Sequence, residues 1–523
     1  MTKDELKQHI LRNSLSNYIF LVVRLGLGVV LFRMMFQSLT PEEMGFWGLL
    51  WSILGYGILL DFGFGFTAQK RVAELSAHEK WEELSEVLST IFFSYVAIAL
   101  VLIGFGLFAS PHLVHLFKIS PQNVEGFTHA LMIFFCGMGV AFPMGIFPEM
   151  LKGQQRISLA NYTLLGGFLV SFALVLMCLK NHWGLNMLLV ITLGCSMAAE
   201  FLCGVFAMRK MPRVRIHPDL FSRGMIRETM RFSVFAYITT LTTVILTRTD
   251  QLVIGTMLAV SAVGAIYLAG SRVSEMFTNF ALQIPDTLSP AAAHSHAKGD
   301  KEFLRSLLVN GTRFSVMFAT PMYLVCAFYM KEFLWLLTGK VSPLPETVYT
   351  GQVLLFWGYT TILTQSVTKR VFMMTGHEKR LMWLGLGEAL LNLGLSGGLM
   401  WYYKNVICVA IGSLAATFIF GWFLIWPWAA RESNLSPWRL AQTVLLPTWL
   451  ACLPIVGLIL LERFYTLPEF RNTIYALALE AGAVFLLACI CMWRVALTPE
   501  EREKVSTYLG KFLNKFSIKS SVA

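Results

Sequence analysis

Leu88–Ser110, LSTIFFSYVAIALVLIGFGLFAS, runs for 23 residues without a charged side chain. Roughly 20 apolar residues suffice for a helix to cross the hydrocarbon of a bilayer, so this stretch reads as a transmembrane span. Working outward in both directions, comparable stretches recur almost end to end. They fall at 17–37, 44–66, 88–110, 129–150, 160–180, 185–208, 231–251, 258–290, 312–336, 349–371, 382–402, 405–428, 441–462 and 472–494. The chain is 56% hydrophobic and only 14% charged, whereas soluble domains carry about a quarter charged residues. The sequence therefore predicts an all-α integral membrane protein of about fourteen transmembrane helices, with no soluble domain between them. The eighth stretch is too long for one straight helix. It either leaves the bilayer or bends near Pro285 and Pro290, where neighbours must satisfy the freed backbone groups. Met1 to Asn17 is a charged amphipathic lead running into a full-length span, which reads as an uncleaved first helix.

Net charge is +11, and its placement sets orientation, because Lys and Arg collect on cytoplasmic loops. With the N-terminus inside, the cytoplasmic side receives Lys3, Lys7, Lys70, Arg71, Lys152, Arg156, the run Arg209 to Arg231, Lys369, Arg370, Lys379, Arg380 and the tail from Arg494. Lys118, Lys180, Lys331, Lys404 and Arg463 are among the few on the other side. The bias is roughly four to one and predicts cytoplasmic termini. Anionic headgroups account for this spread of basic loops; nucleic acid does not, since no binding module is present. After Pro499, Val505, Tyr508, Leu509, Phe512, Leu513 and Phe516 share one helical face opposite Lys504, Lys511 and Lys515, the pattern of a helix lying on the membrane.

The nine cysteines all fall in apolar spans without C-x-x-C spacing and read as small buried hydrophobes. His294 and His296 lack nearby Cys or carboxylate ligands, so no metal and no cofactor is expected.

Met150-Leu151-Lys152-Gly153-Gln154-Gln155-Arg156 after the fourth span resembles Met373-Met374-Thr375-Gly376-His377-Glu378-Lys379 after the tenth, at an offset of 223. Leu193 to Ala199 in the sixth span resembles Ile411 to Thr417 in the twelfth, at an offset of 218. Similar offsets describe a six-helix unit used twice. Even-membered units keep the same orientation and imply an axis along the membrane normal with a cavity between copies. The expected organisation is an N-lobe at 1–208, a cytoplasmic basic linker at 209–230, a C-lobe at 231–428, two further helices at 429–495 and a cytoplasmic tail at 496–523.

Four features then carry a family likeness. They are Arg24 and Arg33 in the first span; Glu43-Met44-Gly45-Phe46-Trp47 opening the second span, which closes with Leu60-Asp61-Phe62-Gly63-Phe64-Gly65; Arg248-Thr249-Asp250-Gln251-Leu252-Val253-Ile254-Gly255 leading to Val263-Gly264-Ala265-Ile266-Tyr267; and the turns at Gly153 and Gly376. In their order and spacing they resemble the polysaccharide-transport branch of the multidrug, oligosaccharidyl-lipid and polysaccharide exporter superfamily, the Wzx-type flippases. The resemblance implies two pseudo-symmetric six-helix lobes plus two C-terminal helices in a bacterial inner membrane. It implies transport of undecaprenyl-diphosphate-linked glycan from the cytoplasmic to the periplasmic leaflet for O-antigen or exopolysaccharide synthesis, beside glycosyltransferases and a polymerase.

Charges inside spans cost about 3 kcal/mol each and should face a wet cavity or a partner. Arg24, Arg33, Arg248 and Arg272 suit a diphosphate, because a guanidinium holds two anionic oxygens at once. Asp61, Asp250 and Glu275 are candidates for a coupling ion or for pairing those arginines: Arg24 with Asp61 at similar depth, and Arg272 with Glu275 three residues on. Arg248 and Asp250 read as near the outer end. Glycine pairs at Gly26/Gly28, Gly55/Gly57 and Gly166/Gly167 read as sites of close helix packing. Rival readings are a drug or cation antiporter, a lipid II flippase, and a membrane glycan polymerase or ligase. The last is disfavoured by the absence of a long outer loop with paired carboxylates.

Overall fold

In the computed structural model, residues 3–61, 64–222, 224, 234–339, 344–465 and 474–503 are described. The proposed tail face from Val505 to Phe516 and most of the end of the basic linker lie outside them. The described residues of the predicted spans are helical apart from short breaks, as at 258–259 and 405–406. By length and apolarity alone, seven helices among the described residues can cross a membrane, or nine if two bent pairs each count as one span. The first helix, Lys3–Ser38, and the seventh-span helix, Val234–Met257, are not among those counted.

The second span begins at Pro41 under a reciprocal cap. The Glu43 amide donates to Thr40 Oγ1 (3.2 Å), and the Thr40 amide donates to Glu43 Oε2 (2.9 Å), which satisfies two donors that a helix start leaves open. The long eighth span is broken, as Pro285 requires: Leu268–Ala281 stops one residue before Gln283–Ala297 begins. A proline has no amide to give and disfavours helix in the residue before it. π-turns interrupt the spans at Val263–Tyr267, Phe420–Ile425 and Met492–Ala496.

The two matched loops share a structural theme. Val124–Met144 breaks at Gly145 before the short helix Ile146–Gly153, and Pro345–Thr364 breaks at Gln365 before Ser366–Met374. Their glycines do different work. A Cβ on Gly153 would stand 2.6 Å from the Gln69 carbonyl oxygen, while Gly376 has open space around it but adopts φ +82°. In the first loop the left-handed conformation falls on Gln155 instead (φ 62°).

Packing divides the chain into two compact units: Met1–Ala269 with Leu337–Gly339 and Gly385–Gly412, and Gly270–Leu336 with Lys340–Leu384 and Ser413–Ala523. In the first, an apolar core around Val72, Leu88, Met150 and Cys203 joins the third, fourth and sixth spans to Phe64–Ala77. In the second, Trp428 lies 4.0 Å from the Phe372 ring, with the Arg380 guanidinium also 4.0 Å from the Trp428 centroid. Span thirteen packs Ala451, Cys452 and Ile455 onto Val325 and Tyr329. All nine cysteines are free, and Cys489 is exposed rather than buried. In a bilayer such a position faces hydrocarbon, which suits a thiol as well as a core does.

Candidate functional site

Three of the sequence motifs meet in one seam of the first unit, where the second-span helix Pro41–Gly57 packs along Val234–Met257 and the start of the eighth span. At one end the backbones touch. A Cβ on Gly45 would stand 1.9 Å from the Val260 carbonyl oxygen, and one on Gly264 would stand 2.0 Å from that of Pro41. No side chain fits there. One turn deeper, Gly48 faces Leu268, and then Ser52 Oγ donates to Gln251 Oε1 (2.8 Å). Deeper still, Gly55 receives the aliphatic stem of Arg248, and Tyr56 shares a short hydrogen bond with Thr249. Asp250 is 4% exposed and accepts from the Tyr267 hydroxyl at 2.8 Å. Outside the seam, Glu42 accepts from the Ser120 amide (2.7 Å) and the Asn123 side chain, while Lys118 Nζ donates to the Met257 carbonyl (2.8 Å). A lysine on the last carbonyl of a helix opposes the negative end of its dipole.

The helix that carries Arg248 is longer than its apolar window. Val234–Met257 continues six residues past the predicted end of the span at 251, so Arg248 lies nine residues, about 14 Å, below the helix end.

Asp61 does not meet Arg24. It accepts from the Gly65 amide (3.2 Å) and from the Tyr95 hydroxyl, beside Glu149, which pairs with Lys152 at 2.6 Å. The reason is local: a 3-10 turn, Ile58–Asp61, ends the second span and bends Asp61 toward the start of Phe64–Ala77. Glu200 adds a carboxylate oxygen that is buried without a hydrogen bond. Arg24 itself is exposed on the first helix, its guanidinium 5.7 Å from the Phe20 ring, with no carboxylate partner among the described residues. Arg33 approaches Gly339, whose φ is +75°. In the second unit Arg272 does pair with Glu275, at 3.4 Å, and remains 49% exposed.

Sequence reasoning gave no role to Tyr95, Lys152 or Glu149, or to Glu388, which is 1% exposed. A buried carboxylate at a span end was the signal available for the glutamates. Of the glycine pairs, Gly55 and Gly167 make close approaches, whereas Gly26, Gly28 and Gly166 meet nothing within 4 Å. Those three face away from neighbours, and adjacent or alternate glycines cannot all share one helix face.

Residues 10–296, more than half the chain, match the family described as "Polysaccharide biosynthesis protein". The chain belongs to that family. Among solved structures, this member of the family resembles the lipid II flippase MurJ in an inward closed conformation, at TM-score 0.67 and 13% identity over 92% of this chain and 98% of that one. It resembles an inward-facing multidrug resistance MATE family transporter at TM-score 0.66 and 14% identity, over 79% and 95%. A transporter of the same superfamily from Pyrococcus furiosus aligns at TM-score 0.56 and 14% identity, over 82% and 96%. At these identities the likeness is one of fold. No curated protein matches.

Proposed function

We propose that the chain is a flippase for lipid-linked oligosaccharides, moving an undecaprenyl-diphosphate-linked glycan from the cytoplasmic to the outer leaflet of a bacterial inner membrane for surface polysaccharide assembly. It works beside the glycosyltransferases that build that glycan and the polymerase that extends it. Within a polysaccharide biosynthesis family, the observation that supports this most is Arg24. Its guanidinium is exposed on a span helix and has no carboxylate partner among the described residues, which leaves its paired donors for an anion. Arg33, Arg248 and Arg272 are proposed as further contacts to the diphosphate or the first sugars. Asp61, held by Tyr95 beside the Glu149–Lys152 pair, is proposed to take up the coupling ion. Asp250 and Glu275 are proposed to hold the seam and Arg272, respectively.

With both termini proposed cytoplasmic, the glycine contact at Gly45 and Gly264 falls at the outer end of the spans. Alternating access then requires this seam to part for release, and the rest of the path to close. The bonds that cross from the second span, Ser52 to Gln251 and Tyr56 to Thr249, join neutral groups, so parting these two is a modest demand.

The test is flipping in proteoliposomes. Undecaprenyl-diphosphate oligosaccharide should become accessible to an external glycan-modifying enzyme only when the protein is present, and Arg24→Gln should abolish this. Transfer of lipid II or of a cationic drug, but not of the oligosaccharide lipid, would overturn the assignment. So would glycan polymerisation by the purified protein.

A further inference from the structure

Between spans nine, ten and thirteen of the second unit lies a cavity of about 300 Å³ that none of the foregoing uses. Its walls are Thr320, Tyr323 and Ala327 on Lys301–Phe328, Phe356 and Tyr359 on Pro345–Thr364, and a strip of Leu446–Tyr465 that includes Trp449 and Leu453. Among the described residues, no Lys, Arg, Asp or Glu lines it. Its polar atoms are already engaged: Tyr359 bonds Thr320 (2.8 Å) and accepts from the Trp449 indole (3.1 Å), and Tyr323 bonds Thr278 (2.8 Å). Nothing polar remains to orient water or a headgroup, so the guest must be hydrocarbon.

The mouth indicates where that hydrocarbon comes from. Leu453, Phe356 and Trp449 line the cavity and are also 62%, 56% and 43% exposed, on helices that read as spanning the bilayer. The cavity thus opens sideways into lipid. Its volume holds roughly ten groups of about 30 Å³, the length of part of one unbranched chain. We propose that one acyl chain of a bilayer phospholipid lodges here and wedges span thirteen against spans nine and ten. The glycan carrier, whose tail is also hydrocarbon, is the rival occupant that the test below separates. Beside the cavity, Ala451, Cys452 and Ile455 of span thirteen already share an apolar cluster with Val325 and Tyr329; the acyl chain completes that seat. The proposal is independent of the flippase reading.

The test uses the whole protein, delipidated in mild detergent. Phosphatidylglycerol with sixteen-carbon chains should raise the melting temperature of the parent protein, and native mass spectrometry should count one retained phospholipid. The same headgroup on six-carbon chains should do neither. Ala327→Phe and Val456→Phe, which fill the cavity from different helices, should lose the bound phospholipid and the lipid-dependent shift. Should either variant fail to fold, the chain-length comparison on unmodified protein still decides. Equal retention in the parent and a folded filled variant would overturn the proposal. A melting shift produced by undecaprenyl phosphate but not by phosphatidylglycerol would also overturn it.

Discussion

Substituting Gly264 by alanine tests whether the seam between the second span and the seventh and eighth is a moving part. The new Cβ would stand 2.0 Å from the Pro41 carbonyl oxygen and 2.6 Å from the Gly45 nitrogen. Ordinary carbon–oxygen contacts in close helix packing are about 3.3 Å or more. The two backbones must therefore separate by about 1.3 Å, and both obstacles are main chain, which cannot swing aside. Overpacking of this kind costs about 1–3 kcal/mol, and a bias of that size changes a two-state ratio by roughly 5- to 150-fold. Gly264→Ala should shift the protein away from the closed seam. Cysteines at Leu39 and Thr256, which flank this end, report it once the nine native cysteines are replaced. Cross-linking should be efficient in the parent and should block export while the bridge persists; in Gly264→Ala both cross-linking and export should fall. Gly166→Ala, whose Cβ meets nothing within 4 Å, is the matched control and should behave as the parent. If Gly264→Ala cross-links and exports normally, the seam tolerates the wider spacing and the argument fails. Full export with the bridge in place would show that this end need not open.

Lys118→Met removes the cap on the Met257 carbonyl and should weaken closure by roughly 0.3–1 kcal/mol; cross-linking should fall with added salt in the parent but not in the variant. Tyr95→Phe leaves Asp61 without its hydroxyl donor, and export should drop severalfold at unchanged protein abundance; normal export would make Asp61 a structural residue. Arg272→Gln should abolish export, and unchanged export would leave Arg272 as only the partner of Glu275. At the end of the fourteenth span, Arg313 grips both oxygens of Glu501 at 3.0 and 3.1 Å. Burial pushes the Glu501 carboxyl up, but the Thr498 amide and hydroxyl and the Arg313 guanidinium outweigh it and hold it below its ordinary value of 4.5. The charged form is favoured by folding, so this contact is at full strength above about 4.5 and is lost as pH falls through the lowered value. Protection against hydrogen exchange at 497–503, taken relative to the intrinsic rate at each pH, should fall on acidification, and Glu501→Gln should be poorly protected already at neutral pH.

Hydropathy made the helices legible because the bilayer imposes one length and one polarity on every span. The break near Pro285 was equally open, since proline chemistry is local. The partners of the charges were not. Depth along a helix can be counted from sequence, which made Arg24 and Asp61 look like a pair, but the 3-10 turn at Ile58–Asp61 rotates the carboxylate to Tyr95. The length of the Arg248 helix was hidden for a related reason: it continues past the apolar window, and hydropathy ends where polarity begins rather than where helix ends. Gly153 and Gly376 aligned as one motif although one is small to let a backbone pass and the other is achiral to turn left-handed. Identity alone cannot separate those requirements.

The π-turn at Phe420–Ile425 has a mechanical meaning. Such a turn holds one residue more than the α-turn it replaces, and one residue is about 100° of azimuth and 1.5 Å of rise. The surplus works as a fixed phase offset: it sets the compass bearing of Trp426–Glu432, and with it the angle at which Trp428 enters between Phe372 and Arg380. Removing one residue from this turn would leave every downstream side chain intact and aim Trp428 a quarter of a circle away from its seat. In this span a deletion acts as a rotation, and the tryptophan is the pointer that reads it.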